Sequence, residues 1–199
     1  DQKTVFKIPN ILSIKEAATI PECYMTVWSN LIMRGKLKKK QRALVHGGSS
    51  GIGIAAIQIL KLFHSEIFTT VGNQEKKKFC KSLGVKHVFN YKDQDFYTEI
   101  NNLNTKLDII LDYIGGEYIS KNIDLLGNEG KLINIGFQNG SKVNLNLIKI
   151  MLKRLVLTGS TLRIRNSAFK GRIINELKKY VFPSFVDGSI KCFIDSTFD

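Results

Sequence analysis

The sequence predicts a doubly wound α/β fold, with helices covering both faces of a six-stranded parallel sheet. Three observations predict it. From Arg42 onward, short apolar runs alternate with helix-patterned segments. Those runs are apolar throughout, rather than at every second residue, as in strands buried on both faces. A glycine-rich string, HGGSSGIGIAAIQIL at residues 46–60, joins the first such strand directly to the first helix.

Residues 42–47 (RALVHG) read as a short buried strand, and residues 52–63 as a helix apolar nearly all round. Residues 66–72 (EIFTTVG) form the second strand. The helical pattern of residues 74–83 closes at Gly84, a residue suited to a left-handed cap. A third strand over residues 87–91 precedes a short helix over 95–103. Residues 107–114 (LDIILDYI) make the most hydrophobic strand, and the helix over 116–126 ends at Gly127. Residues 131–137 (KLINIGF) and 155–162 (LVLTGSTL) supply the last two strands, and no internal repeat or low-complexity tract interrupts the series.

The two ends stand outside this alternation. Ser13 and Glu16 have the spacing of a capping box, opening a helix that Pro21 breaks and YMTVWSNLIM resumes. After the last strand, residues 167–182 form a long amphipathic helix and residues 190–198 a strand with no local partner. The expected organisation is a nucleotide-binding stretch over residues 36–165. Residues 1–35 lead into it and residues 166–199 lead out, both as pieces of a neighbouring domain. The start at Asp1 and the end at Asp199 lead us to expect an excised piece of a longer chain.

With 43% hydrophobic and 24% charged residues, the composition is that of an ordinary soluble globular protein. No apolar run is long enough to span a bilayer, no targeting segment opens the chain, and three widely spaced cysteines lead us to expect a reducing, cytoplasmic setting. Cys23, Cys80 and Cys192 are too scattered for a disulfide framework or a zinc site. His46, His64 and His87 also lack ligand spacing, so no metal site is expected; His46 reads as the last residue of the first strand. The net charge of +13 invites a nucleic-acid reading. However, the lysine clusters at residues 36–42, 76–78 and 178–179 are not interleaved with aromatic stacking platforms, which favours solvated faces.

The pattern GxGxxA falls at Gly51, Gly53 and Ala56. The first glycine permits a tight turn, the second lets backbone approach a pyrophosphate, and the third small residue lets helix and strand pack closely. The helix N-terminus adds free N–H groups and a positive dipole. Ser49, Ser50, Gly51, Ile52 and Gly53 are therefore candidate cofactor-binding residues. Short-chain reductases carry a similar string but need a tyrosine four residues before a lysine, and no tyrosine here has one.

Four segments, RALVHGGSSGIGIAAIQILK, SLGVKHVFNYKDQDF, LDIILDYIGGEY and DLLGNEGKLINIGFQNG, together resemble the medium-chain dehydrogenase/reductase superfamily. The resemblance is to its quinone oxidoreductase type, on the p53-inducible and zeta-crystallin-like branch. It covers essentially the whole chain in order. It implies a Rossmann domain flanked by pieces of a GroES-like catalytic domain, which would explain both ends. The implied activity is zinc-independent hydride transfer from NADPH to a quinone or enone, with catalytic residues that this sequence does not identify.

An NAD-preferring site places an acid about twenty residues after the glycines. Gly72 occupies that region instead, which points to NADP(H), although Glu75 adds a nearby negative charge. The resemblance implies that Lys76 and Tyr91 meet the adenosine 2′-phosphate. It also implies that Thr26, Ile114, Gly115, Gly136 and Phe137 lie near the nicotinamide. Asp112 reads as a backbone acceptor at a strand end rather than a general base.

The last strand, opening on Leu155 and closing on Leu162, is an apolar edge with few charges to block pairing. In relatives it pairs with its own copy, so a homodimer is expected. Two alternatives remain open: another medium-chain activity on an enoyl thioester or alcohol, and RNA binding of the zeta-crystallin-like kind.

Overall fold

The computed structural model describes residues 1–197. A 3-10 turn at Gln2–Thr4 precedes α1 (Ile14–Ala18), α2 (Ile20–Val27) and a π-helical segment, Trp28–Arg34. The alternation then begins with β1 (Arg42–Val45), α3 (Gly51–Leu62), β2 (Glu66–Val71), α4 (Gln74–Ser82) and β3 (His87–Asn90). It continues through α5 (Phe96–Asn102), β4 (Leu107–Asp112), α6 (Tyr118–Leu125), β5 (Leu126–Asn134), α7 (Leu147–Lys153) and β6 (Val156–Gly159). Helices α8 (Ser167–Tyr180) and α9 (Phe182–Val186) follow.

The strands form one parallel sheet in the order β3-β2-β1-β4-β5-β6. Strand order reverses between β1 and β4, and the loops leaving the carboxyl ends of these two strands diverge to opposite faces. The divergence opens a crevice there. This is the Rossmann arrangement that the sequence predicts.

The uniform hydrophobicity of the central strands follows from the two cores they serve. Ala43 and Val45 of β1, with Ile109 and Leu111 of β4, face the layer holding α2, α3 and α8. Leu44, Leu107 and Ile110 face the opposite layer, with Phe96, Ile119 and Ile123. Successive side chains of a strand point to opposite faces, so an apolar residue is needed at every position.

Both ends of the chain pack into the first layer. Tyr24 meets Phe185 edge to face at 5.3 Å, and Trp28 stacks on Tyr180 at 5.9 Å. The Trp28 indole N–H donates to Glu176.

Several boundaries differ from expectation. The break in the first helix lies at Thr19, and Pro21 stands in the first turn of α2, where its missing N–H costs nothing. The helix expected through Leu126 ends at Leu125, and β5 starts at Leu126, carrying Gly127 inside an irregular register opposite β4. Helix α7 is absent from the sequence expectation, because its apolar residues are mostly exposed and show no buried stripe. The terminal strand expected over residues 190–198 does not form across 190–197, and Phe198 lies outside the described residues. The buried Gln58 of α3 takes the place of a strand partner. It donates to the Lys191 carbonyl at 3.0 Å and accepts from the Lys191 N–H at 2.7 Å.

Replacing Gln58 with Leu keeps the volume but strands both Lys191 groups. Both bonds are only part-buried and water can replace the lost partner, so the expected loss is about 0.5–1.5 kcal/mol, the net worth of a hydrogen bond. Denaturant titration checks it, together with faster amide exchange at Lys191; unchanged exchange there would refute the side-chain pairing.

Candidate functional site

The chain leaves β1 through His46, turns at Gly47 and Gly48, and enters α3 with Ser50 as N-cap. Gly47 is left-handed at φ +68, and a Cβ there would lie 1.5 Å from the Tyr113 hydroxyl. A Cβ on Gly53 would stand 2.2 Å from the Gly47 carbonyl oxygen, so helix and loop touch backbone to backbone. The Ser50 hydroxyl locks this contact, donating to the Gly47 carbonyl at 2.8 Å and accepting the Gly53 N–H at 3.0 Å. Among the described residues, the N–H groups of Gly51 and Ile52 find no acceptor. They are the unpaired donors of a helix N-terminus, at its positive dipole end.

The loop ahead of these donors, at Gly47, Ser49 and Ser50, lines a cleft of about 300 Å³ at the carboxyl edge of the sheet. Of the residues singled out from the sequence, Ser49, Ser50, Gly72, Lys76, Tyr91 and Ile114 line it together. Tyr91 lies over Gly72: a Cβ there would be 2.6 Å from the phenol oxygen. Lys76 is carried by the first turn of α4, whose N-cap Asn73 accepts the Lys76 N–H at 2.8 Å.

The remaining candidates stand around this cleft rather than in its lining. Gly51 opens α3 and faces a neighbouring cavity shared with Glu75, Lys76 and Phe193. Ile52 and Gly53 continue the same first turn. Phe137 lies over Gly115, with its ring 2.7 Å from where a Cβ would be, and Gly136 abuts Tyr113. Backbone bonds from Gln138 to Tyr113 and from Asn139 to Ile114 zip the two loops into one wall. Thr26 is on α2, where its carbonyl accepts from Ser29 and Asn30, and it does not line the cleft.

A buried polar chain runs beneath the cleft. Asp112 Oδ1 accepts the N–H groups of Ile114 and Gly115 at 2.6 and 3.2 Å, the backbone role expected of this residue. Its Oδ2 accepts the side-chain amides of Asn122 and Asn134 at 3.2 and 3.1 Å. The Asn122 oxygen then meets His46 Nε2 at 3.0 Å, and His46 Nδ1 meets the Thr70 hydroxyl at 3.1 Å. Thr70 Oγ1 also accepts the Gly47 N–H at 3.2 Å. His46 is fully buried, one residue beyond the strand it was expected to end.

Sequence reasoning missed Thr70 and Asn122, as well as the cleft residues Tyr113, Tyr118, Gln138 and Asn139. The available signal was a threonine inside an apolar strand and an asparagine on the apolar face of α6; both are buried polar groups that require partners. Among the described residues, no three His, Cys, Asp or Glu side chains cluster as metal ligands. No helix among them is long and apolar enough to cross a membrane.

A Rossmann sheet with an open helix N-terminus at its switch point defines the general class of this protein. More narrowly, the chain belongs to the zinc-binding dehydrogenase family, which matches residues 51–179, and so to the medium-chain dehydrogenase/reductase superfamily. Polyketide synthase 37 of Dictyostelium discoideum is 30% identical over 200 residues, covering 96% of this chain but 6% of that synthase. Quinone oxidoreductase of Homo sapiens is 32% identical over 143 residues, covering 71% of this chain and 44% of that protein. The nucleotide-binding subdomain of the enoylreductase domain of PpsC from Mycobacterium tuberculosis superposes with a TM-score of 0.74 at 26% identity. That match covers 86% of this chain and 96% of that one. The chain therefore spans only a small part of the synthase and under half of the quinone oxidoreductase.

Burial pushes the His46 pKa below its ordinary value near 6.5, against the opposing pull of Asp112 and the Asn122 bond. An unfolded histidine takes up its proton first, so this contribution to stability is complete above pH 6.5 and is lost as pH falls toward the lower folded value. Denaturation between pH 7.5 and 5 should show stability falling as pH falls, with this one group contributing to the slope. His46→Asn should flatten the profile over that window; an unchanged slope would assign the acid sensitivity elsewhere.

Proposed function

We propose that this chain is the NADPH-binding part of a reductase acting on a carbon–carbon double bond conjugated to a carbonyl. The observation that carries this reading is the charge of the cleft. Among the described residues, Lys76 is the one charged side chain lining it, and Gly72 stands where a ribose-binding acid would be. A phosphate on the adenosine ribose is favoured there, and an NADH-type contact has no carboxylate to make it.

The other residues fit the same cofactor. The free N–H groups of Gly51 and Ile52 suit a pyrophosphate, and the close packing of Gly53 on Gly47 leaves no side chain to obstruct it. Tyr91 beside Lys76 supplies a phenol to the same end of the cleft. Ile114 and Gly115, held by Asp112, with Phe137 over them, offer a rigid apolar wall for a nicotinamide ring. We place Thr26 and Gly136 at the outer margin of that wall. The bound cofactor supplies the hydride; the protein's part is to hold and orient it and to exclude water.

An enoyl thioester is the substrate class we favour, because polyketide synthase and enoyl reductase sequences align over most of this chain. A quinone is the second reading, supported by the human quinone oxidoreductase match. We read residues 1–35 and 166–199 as the entry from and return to a catalytic domain. Lys76→Ala should weaken NADPH binding roughly tenfold, the scale of one charge-assisted hydrogen bond, and leave NADH nearly unaffected. Calorimetry with both cofactors decides this; equal losses would reject the phosphate role. In the intact protein, NADPH oxidation should be faster with a crotonyl thioester than with a simple quinone, and the reverse selects the quinone reading.

We also propose a homodimer through the edge strand β6, where Val156 is 45% exposed and, among the described residues, only β5 pairs with the strand. Pairing with a second copy would extend the sheet across a two-fold axis. The intact protein should sediment as a dimer, and Thr158→Pro, which removes a ladder donor, should convert it largely to monomer. A wild-type monomer at high concentration would overturn the proposal.

A further inference from the structure

We propose that His46 is the positioning residue of the cleft, coupling the glycine loop to the Ile114–Gly115 turn through one directed chain of hydrogen bonds. The proposal rests on the NADPH reading for its functional consequence, but the chain of bonds stands on geometry alone.

The direction of the chain is set at Asp112. Both of its oxygens accept N–H donors, so the Asn122 amide must turn its nitrogen to Asp112 and its oxygen to His46. His46 must then carry its proton on Nε2, which leaves Nδ1 as an acceptor. The Thr70 hydroxyl, 3.1 Å away, spends its single proton on Nδ1 and keeps a lone pair for the Gly47 N–H. Every group donates toward the carboxylate, an arrangement in which neighbouring bonds polarise and strengthen one another. The rings of Phe96 and Tyr118 pack against the imidazole, edge to face at 5.0 Å and tilted at 4.9 Å.

The two ends of this chain are the two backbone segments that a dinucleotide must touch. At one end, Gly47 is held in its left-handed turn beneath the α3 N-terminus. At the other, Ile114 and Gly115 form the opposing wall. His46 lies between them and does not line the cleft, so it acts by positioning rather than by contact. A different tautomer would present a proton to the Thr70 hydroxyl. The hydroxyl would then accept both donors on its two lone pairs and leave its own proton without this acceptor, while Nε2 and the Asn122 oxygen would meet with lone pairs only.

The test separates the two halves of the imidazole. In His46→Asn, the amide oxygen falls where Nδ1 was and still accepts from Thr70. In His46→Gln, the amide nitrogen reaches Asn122 but no acceptor remains for Thr70. Hydrogen exchange on the intact protein should show His46→Gln speeding exchange of the Gly47, Gly48 and Ser50 amides about tenfold, with β3 and α8 unaffected. NADPH affinity should fall by a similar factor. His46→Asn should stay near wild type at those loop amides and should instead speed exchange at Ile114 and Gly115, because it leaves the Asn122 oxygen without its donor. Thr70→Val should reproduce His46→Gln, and Thr70→Ser, which keeps the hydroxyl, should not. The Thr70 pair decides the matter if His46→Gln does not fold. Equal behaviour of His46→Asn and His46→Gln, or wild-type exchange in Thr70→Val, overturns the assignment. A wild-type protein that binds no NADPH rejects the proposed cofactor, and the exchange comparison still decides the role of His46.

Discussion

Asp112 accepts four N–H donors at the end of β4, and the arrangement around the cleft depends on that concentration of acceptor capacity in a fully buried place. A buried carboxylate is tolerable only when its oxygens are satisfied, so the groups that satisfy it are held in turn. Ile114 and Gly115 must turn back over it, Asn134 ties β5 to it, and Asn122 ties α6 to it. Through Asn122, the constraint extends across β1 to β2 and into the glycine loop. One carboxylate thereby ties four strands and a helix to the cleft edge at which ligands of this fold class bind.

The second constraint is steric. Gly47 and Gly53 allow backbone to meet backbone at distances that no side chain would permit, while Gly72 makes room for the Tyr91 phenol. Close packing of α3 on the loop leaves its first amides unpaired at the cleft. Electrostatics then acts on a small scale. The chain carries a formal charge of +13, but a single lysine lines the cleft among the described residues. Surface lysines beyond about 10 Å are screened at physiological salt, so Lys76 outweighs the bulk of the net charge at this position.

Much of this was legible in the residues. The alternation of apolar runs and helical patterns gave the strand sequence, because a parallel sheet buried on both faces requires apolar residues at every strand position. Gly51, Gly53 and Ala56 marked the loop through spacing that backbone sterics demand. Ser49, Ser50, Gly72, Lys76, Tyr91 and Ile114 come from four separate stretches of sequence and meet in one cleft. The terminal strand expected after Ile190 failed for a reason invisible in its own residues: Phe193 packs on Phe79 of α4, while the backbone of Lys191 is satisfied by a glutamine side chain 133 residues away. Helix α7 escaped because its apolar side chains face outward, giving no stripe on a buried side.

The sequence by itself determined the sheet, the glycine loop, the missing acid at the end of β2 and the presence of Lys76 near it. Each is encoded within a short window, where periodicity and backbone sterics act directly. Only the tertiary structure decided the side-chain partners of His46, Thr70, Asn122 and Asp112. Those residues are separated by up to 76 positions at the His46–Asn122 contact, and nothing local distinguishes a buried polar side chain with a partner from one in solvent. The fold brings them together because parallel strands place the ends of distant segments side by side, and burial then obliges each polar group to find the next.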